Sequence, residues 1–382
     1  MARPEESPRF PIVCFDGNAT YLVGDLDSNL MLRGFFFRPI PVQGEIELQL
    51  VHPYCRREQV IKFMRLMLRR AFDSINFPLC RLSPTPPGEP LPFIFRVDID
   101  YMVDPGLGLL RRATADYGWK ITGFINISGE ELWEDTGIPP PNGRQNIENL
   151  RWIPDFAEEG HEVASHGVRH LLWAKRRNNF DDISEARKIL EDLCNHPVVG
   201  HAFPGGLWHP EAALAASEAG FRYTTEAAIA WAGQPFISVE RPYHLPLLQI
   251  PCSPVYPAFH ELKRGGEEMF LRYFEIMAQQ CMREKEMLSW MGHPFDLEPA
   301  SDELWHTVEQ IRANGGFKPV TMSEVDLMVR KRWQVKPRFT LNCGQWWVSA
   351  NVEWDLLCQG IVIRIPAGGK KVIVTGKKIS DI

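Results

Sequence analysis

Four short groups of reactive side chains follow one another along this chain. They are Asp98-Ile99-Asp100, Ser165-His166-Gly167-Val168-Arg169-His170, Phe203-Pro204-Gly205-Gly206 and Gly292-His293-Pro294. Two carboxylates and two imidazoles can hold one divalent cation and leave one carboxylate over to act as a base. A later histidine can serve as a general acid. These residue types, in this order, predict metal-assisted hydrolysis.

The two aspartates of the first group end a predicted strand over residues 93–100. Residues two apart in a strand project to the same side, so Asp98 and Asp100 are expected to face one site at the mouth of that strand. Two aspartates at this spacing are also typical of a surface or capping position. The first group therefore gains its meaning from the histidines that follow.

His166 and His170 follow a predicted strand that ends at Ser165. A separation of four residues lets both imidazoles reach one cation if the segment turns helically. His293 closes another predicted strand, over residues 287–292, and a histidine there could protonate a leaving amine. A purely structural role for His293 is the alternative.

The third group is predicted to contact substrate. Glycines permit close approach of the backbone to a ligand, and an exposed backbone N–H could stabilise a developing oxyanion. A strand-to-helix turn without a ligand would have the same composition. The candidate substrate-binding residues are Phe203, Pro204, Gly205, Gly206 and Trp208.

Strands and helices are predicted to alternate from about residue 92 to residue 329. Alternation at this spacing implies parallel strands with crossover helices, in an open sheet or a barrel. In a barrel the working residues come from the C-terminal ends of the strands. All four groups fall at such ends in this interpretation.

Both flanks of the alternating region are predicted to be rich in strands. Residues 11–52 are strand-like, a helix is expected over about 56–72, and 82–90 contains four prolines and is predicted to be a linker. After residue 336, short apolar alternations predict an appended β segment, whose Trp346, Trp347 and Trp354 could stack on a sugar or fill a small core. The predicted domains are 1–90, 91–335 and 336–382.

Composition narrows the class of protein. The chain has 382 residues, of which 45% are hydrophobic and 24% charged, as in soluble globular proteins. A net charge of -6 argues against general nucleic-acid binding. The eight cysteines form no Cys-x-x-Cys pair, and no apolar run has the length of a signal peptide or membrane span. A cytoplasmic location without a transmembrane segment is expected.

With these residues in view, the segment from about Leu91 to Asp326 resembles the polysaccharide deacetylases of the NodB-homology type, carbohydrate esterase family 4. Within that family it is most similar to the deformylases that act on formamido-sugars, which share the Asp-x-Asp pair and lack the usual arginine before the third motif. The stretches that carry the resemblance are Arg96-Val97-Asp98-Ile99-Asp100, Glu159-Gly160-His161-Glu162-Val163-Ala164-Ser165-His166 with His170, Ala202-Phe203-Pro204-Gly205-Gly206, and His293-Pro294.

The resemblance implies an α/β fold, a distorted (β/α) barrel of the NodB type with β-rich N- and C-terminal flanks. It also implies a divalent metal, zinc first, with cobalt, nickel, manganese or iron as alternatives. Asp100, His166 and His170 would be its ligands. Asp98 would be the base that activates water, and His293 the acid.

One departure from the family pattern concerns the base. An arginine commonly stands two residues before the proline of the third motif and orients the base, whereas Ala202 occupies that place here. Three interpretations stay open. Another cation, Arg96 or Arg169, takes over the role, the base works without one, or catalysis is lost.

Three functions are compared. The first is removal of a formyl or acetyl group from an N-acylated amino sugar, carried on a nucleotide or a lipid, in the biosynthesis of an O-antigen-like surface polysaccharide such as lipopolysaccharide. The second is hydrolysis of a small cyclic or linear amide, and the third is a catalytically silent glycan-binding protein. Both aspartates and all three histidines are present, which favours an enzyme. Assembly into a homo-oligomer is left open.

Overall fold

In the computed structural model, the chain forms two compact units. One comprises residues 37–50 and 88–330, and the other residues 1–36, 51–87 and 331–382. The domain limits expected at residues 90 and 335 stay a prediction. The residues described are 12–16, 19–23, 36–42, 45–51, 72, 79–82, 85, 89–100, 104–127, 150–170, 176–204, 210–225, 235–240, 243–250, 267–297, 300–333, 337–342, 345–350, 361–364 and 371–374.

Strands and helices are numbered in chain order. The strands are β1 (Ile12–Asp16), β2 (Ala19–Val23), β3 (Phe36–Val42), β4 (Glu45–Val51), β5 (Leu79–Leu82), β6 (Leu91–Ile99), β7 (Ile121–Ile125), β8 (Glu162–Ser165), β9 (Gly200–His201), β10 (Tyr223–Thr224), β11 (Phe236–Glu240), β12 (Tyr243–Gln249), β13 (Leu288–Gly292), β14 (Phe317–Pro319), β15 (Pro337–Asn342), β16 (Gln345–Ala350), β17 (Ile361–Arg364) and β18 (Lys371–Val374). The helices are α1 (Asp104–Tyr117), α2 (Ile153–Glu158), α3 (Arg176–Cys194), α4 (Pro210–Glu218), α5 (Glu267–Glu284), α6 (Pro294–Leu297), α7 (Asp302–Asn314) and α8 (Met322–Trp333).

Nine strands form one sheet in the larger unit. Their order is β11-β12-β10-β9-β8-β7-β6-β13, and β14 also pairs with β6. Every pair is parallel except β11 with β12. The sheet curls into a half-barrel flanked by helices, which confirms the predicted α/β barrel class.

Strand β6 is buried along its whole length. Long apolar runs such as this are typical of parallel sheets, because both faces are covered. Its charged residues, Arg96 and Asp98, are therefore placed inside the protein, where an ionised side chain needs a partner.

The strand register aligns the ends that carry the reactive residues. Asp98 pairs with Phe124, Ile125 pairs with Ser165, and Ser165 pairs with His201. Strand β13 runs parallel to β6 on its other side. Because parallel strands in register end at the same edge of a sheet, the residues after β6, β8 and β13 meet at one edge.

A cluster of aromatic rings packs beneath that edge. Phe95 lies 5.3 Å from Trp119 and 5.1 Å from Trp290 between ring centroids, and Trp290 lies 5.1 Å from Trp305. All four side chains are buried, and each aromatic pair adds roughly 0.5–1.5 kcal/mol beyond its buried area. Because Trp290 lies on β13, the cluster anchors the strand that presents His293.

The observed elements differ from the predicted ones mainly at their ends. Within the alternating region the sequence predicts a helix over about 147–159. In the structure this helix begins at Ile153, with Pro154 in its first turn, where the missing N–H of proline costs no helical bond. The sequence also predicts a short strand over 198–202, of which only Gly200–His201 are strand in the structure, as β9. The helix expected over 56–72 lies outside the described residues, apart from residue 72.

The β-rich flanks form small antiparallel sheets. Strand β17 pairs with both β18 and β5, and two hairpins are formed by β1 with β2 and by β15 with β16. The hairpin β15–β16 contains Trp346 and Trp347, whereas Trp354 lies outside the described residues. In the part of the chain that the structure describes, every helix is too short or too polar to cross a membrane.

Candidate metal centre

The structure brings the five predicted metal and proton-transfer residues together at one sheet edge. They are Asp98, Asp100, His166, His170 and His293. Asp98 is the second-last residue of β6 and Asp100 directly follows that strand, and both carboxylates are buried. Strands β8 and β13 end immediately before His166 and His293.

Asp100 faces both histidines of the second group through a single oxygen. Its Oδ1 lies 3.3 Å from His166 Nε2 and 3.5 Å from His170 Nε2. One ligand atom from each residue lies within 4.8 Å of the other two. These three side chains could hold one metal ion.

The histidines reach this arrangement through a bend rather than the expected helical turn. Residues 166–170 are not helical, and Gly167 has a φ of 88°. That backbone conformation is open to glycine and strained for other residues. A bend at residues 168–169 takes the place of the helical turn that would let both imidazoles reach one cation.

The ring of His166 is held by the backbone of the residue that follows β9. Its Nδ1 lies 2.7 Å from the carbonyl oxygen of Ala202, which can only accept, so the hydrogen bond assigns the proton to Nδ1. The lone pair of Nε2 then points toward Asp100. A second nitrogen bonded to a backbone carbonyl is the usual outer contact of metal-binding histidines.

The donor chemistry fits a divalent cation. Asp100 Oδ1 is buried and, among the described residues, has no hydrogen-bond partner. Leaving such an oxygen unsatisfied costs about 1–3 kcal/mol. Burial would raise the pKa of Asp100, but the nearby imidazoles, His170 first, lower it well below its ordinary value, and burial lowers the pKa of His170 to about 4. An anionic oxygen beside neutral imidazoles is the ligand set that zinc and related metals prefer.

Asp98 is held by a buried arginine from its own strand. Arg96 Nε donates to Asp98 Oδ1 at 2.7 Å and Arg96 Nη2 donates to Oδ2 at 2.6 Å. Arg96 Nη1 donates to the Thr225 carbonyl at 2.8 Å, and Arg96 Cζ lies 4.9 Å from the centroid of the Phe124 ring. Burial would raise the pKa of Asp98, but Arg96, together with His166 and His293, outweighs burial and holds the pKa below its ordinary value.

Of the two arginines predicted as alternative partners of the base, Arg96 is the one that contacts Asp98. Arg169 instead pairs with Asp182, with 3.1 Å between Nε and Oδ1. Ala202, in place of the family arginine, contributes its carbonyl to His166. The site therefore has a cation beside Asp98 without an arginine in the third group.

His293 lies at the rim of the cluster. Its Nε2 is 3.4 Å from Asp100 Oδ2, the other oxygen of that carboxylate, and its side chain is 14% exposed. His293 therefore combines partial access to solvent with proximity to the candidate ligands. That position suits proton transfer to a group entering from solvent.

The third group is described only in part. Phe203 and Pro204 are buried, and the Phe203 ring packs against His201 at 4.6 Å between centroids. Gly205, Gly206 and Trp208 lie outside the described residues. The substrate contacts expected of this group stay a prediction.

Sequence reasoning missed several residues that support the centre. Asp182 is buried and faces the loop between the two histidines. The Thr225 hydroxyl accepts a hydrogen bond from Arg96. A signal for Asp182 does exist, since it lies on the same helix face as the buried Ile183, Ala186 and Leu190. Nothing in the sequence marks Thr225.

Residues 113–224 match the family model for polysaccharide deacetylases. The matched segment contains His166 and His170, and it ends before His293. The chain is therefore similar to polysaccharide deacetylases over this segment, and the match names no branch within that family. No curated protein matches the sequence significantly.

Solved structures of polysaccharide deacetylases share the fold. A candidate polysaccharide deacetylase from Mycobacterium smegmatis is 17% identical, with a TM-score of 0.50 over 66% of this chain and 96% of that one. One from Pseudomonas aeruginosa PAO1 is 16% identical, with a TM-score of 0.50 over 65% and 93%. PuuE allantoinase is 14% identical, with a TM-score of 0.51 over 65% and 93%. At these identities the likeness is one of fold.

Proposed function

We propose that the protein is a metal-dependent amidohydrolase that removes a formyl or acetyl group from an N-acylated amino sugar. The observation that carries this proposal is the buried Oδ1 of Asp100, which faces His166 and His170 and has no hydrogen-bond partner among the described residues. Beside it lies Asp98, which Arg96 holds. The family match supports an acylated carbohydrate as the substrate class.

Asp100, His166 and His170 would hold the cation, with zinc the first candidate and cobalt, nickel, manganese or iron as alternatives. A divalent ion bound there supplies a Lewis acid for the acyl carbonyl and lowers the pKa of a water molecule. The contact between His166 and Ala202 keeps one ligand aimed at the site.

Asp98 acts as the general base. Its carboxylate takes a proton from the attacking water as the water oxygen bonds to the acyl carbon. Arg96 keeps the pKa of Asp98 below its ordinary value, so that the carboxylate is ionised and able to accept at neutral pH. A positioned base typically contributes a factor of about 10²–10⁴ in rate.

His293 acts as the general acid. It gives a proton to the amine nitrogen as the bond between acyl carbon and nitrogen breaks, so the products are a free amino sugar and formate or acetate. Its partial exposure at the rim suits this role. The segment Phe203, Pro204, Gly205, Gly206 and Trp208 is proposed to flank the sugar.

The finer parts of the proposal concern the substrate and its setting. The sugar is carried on a nucleotide or a lipid, and the reaction serves the biosynthesis of a surface polysaccharide, O-antigen-like or lipopolysaccharide, in the cytoplasm. The Asp-x-Asp pair and Ala202 follow the deformylase pattern, and formyl and acetyl groups are both tested as the acyl group that is removed.

The test is release of acid from a defined panel of substrates. Protein loaded separately with zinc, cobalt and manganese is incubated with N-formyl and N-acetyl amino sugars, free and nucleotide-linked, and with allantoin as a small cyclic amide. We expect formate or acetate from an amino sugar, and a loss of about 10²–10⁴-fold in Asp98→Asn with the metal retained. Turnover of the cyclic amide alone, or full activity in Asp98→Asn, would contradict the proposal.

A further inference from the structure

Asp182 is a buried carboxylate that faces the loop between the two candidate histidine ligands. It lies on helix α3, and its side chain is 3% exposed. Its Oδ2 accepts the Val168 backbone N–H at 3.0 Å, and its Oδ1 accepts the Arg169 backbone N–H at 3.0 Å and the Arg169 Nε–H at 3.1 Å. One side chain thus bonds two successive peptide groups of the loop.

The rest of the loop backbone is held as well. The N–H of His166 donates to Ile125 O at 2.9 Å, and the N–H of Gly167 donates to Ser165 Oγ at 3.2 Å. Successive N–H groups in a turn form a concavity that favours an anion. Here the anion is Asp182, which comes from another element of the fold.

The carboxylate also lies against the backbone at Gly167. A Cβ added to Gly167 would lie 2.6 Å from Asp182 Oδ2, and the φ of Gly167 is 88°. The missing Cβ and the positive φ of Gly167 therefore let the Asp182 carboxylate approach the loop.

His170 depends on this loop more than His166 does. His166 has the Ala202 carbonyl at its Nδ1, whereas no hydrogen bond to another described residue orients the His170 ring through its own Nδ1. The backbone at 167–169 then sets where the His170 ring lies relative to Asp100.

We propose that Asp182 is a positioning residue that fixes the bend at 167–169, so that both imidazoles reach the cation beside Asp100. The inference rests on the proposed function, since it assumes that these histidines bind a metal. It assigns Asp182 no contact with substrate or with the reacting atoms. Outer contacts of metal ligands typically change affinity by about 10–100-fold when removed.

The experiment measures metal binding without substrate. Zinc affinity is determined by competition with a chromogenic chelator for the full-length wild type, Asp182→Asn, and the control Asp181→Asn, which alters the exposed neighbour on the same helix. The absorption of each cobalt-loaded protein reports the geometry of the ligands. We expect about 10–100-fold weaker zinc binding and an altered cobalt spectrum in Asp182→Asn, with Asp181→Asn like the wild type.

A second variant covers the case in which Asp182→Asn does not fold. Gly167→Ala keeps Asp182 and both histidines but places a methyl group against the carboxylate, so it is expected to weaken zinc binding in the same way. Folded variants that bind zinc as tightly as the wild type, with unchanged cobalt spectra, would overturn the inference and leave the proposed function standing. A wild-type protein that binds no divalent metal would overturn both.

Discussion

Arg96 contacts both carboxylate oxygens of Asp98, its neighbour two residues along strand β6, at 2.7 and 2.6 Å. Residues two apart in a strand share a face, which allows this pairing within one strand. The family pattern takes the corresponding arginine from the third motif, where this chain has Ala202. The cation that accompanies the proposed base therefore comes from the same strand as the base itself.

The Arg96 contact predicts that a lysine cannot replace this arginine. Arg96→Lys keeps the charge but loses the fork that bonds both oxygens. We expect kcat to fall by about 10–100-fold with little change in KM, measured with whichever amino sugar of the substrate panel the wild type hydrolyses. Arg187→Lys is the control, because Arg187 also bonds a carboxylate and a carbonyl, but on helix α3 away from the site. Equal activity in both variants would contradict an orienting role for Arg96.

His293→Gln is predicted to lose activity but keep the metal. Because His293 faces Asp100 Oδ2 rather than Oδ1, it lies outside the proposed ligand group. We expect kcat to fall by about 10²–10⁴-fold, and by less with an acylated aniline, whose amine leaves more readily. Metal content per protein is measured alongside. Loss of the metal in His293→Gln would make His293 a ligand instead.

Glu162 is predicted to make stability fall as the pH rises. Burial raises the pKa of Glu162 from 4.5 to about 7, against the opposing hydrogen bonds from Ser323, Tyr223 and Thr122. The folded protein then binds this proton more tightly than the unfolded chain. The contribution of Glu162 to the free energy of unfolding is therefore full below about pH 4.5 and is lost, by up to about 3 kcal/mol, as the pH rises to about 7.

Denaturant unfolding at pH 5 and pH 8 checks this. The free energy of unfolding of the wild type, relative to that of Glu162→Gln, should be lower at pH 8 than at pH 5. Glu275→Gln, at an exposed position on helix α5, should follow the wild type at both values. Parallel pH dependence of the wild type and Glu162→Gln would show that Glu162 keeps an ordinary pKa.

A matched pair of glycines tests the packing beneath the site. A Cβ at Gly200 would lie 2.1 Å from the Tyr223 ring, whereas a Cβ at Gly108 would meet nothing within 4 Å. Gly200→Ala should destabilise by about 1–3 kcal/mol or more through overpacking. Gly108→Ala, inside helix α1, should stabilise by roughly 0.5–1 kcal/mol. Thermal unfolding distinguishes the two, and equal effects would contradict the described contact of β9 with β10.

The sequence predicts the position of the site well, because alternating strands and helices put Asp98, His166 and His293 at strand ends. It predicts local geometry poorly. The bend at 166–170 depends on the positive φ of Gly167, which the spacing of the histidines does not reveal. The choice between Arg96 and Arg169 as partner of Asp98 needs the directions of side chains.

The supporting contacts are the least predictable part. Thr225 meets Arg96 from 129 residues away in the chain, and Asp182 reaches the histidine loop from a helix. Both depend on how the elements pack, not on a local pattern. Only the buried face of α3 gives Asp182 a detectable signal.

The most direct test of the account is the divalent metal content of the purified protein, by elemental analysis, beside a His166→Ala/His170→Ala variant. The account predicts near-stoichiometric metal in the wild type, or after loading with zinc, and its loss in a variant that stays folded by circular dichroism. A wild-type protein that cannot be loaded with any divalent metal, or a variant that keeps its metal, would contradict the assignment of Asp100, His166 and His170.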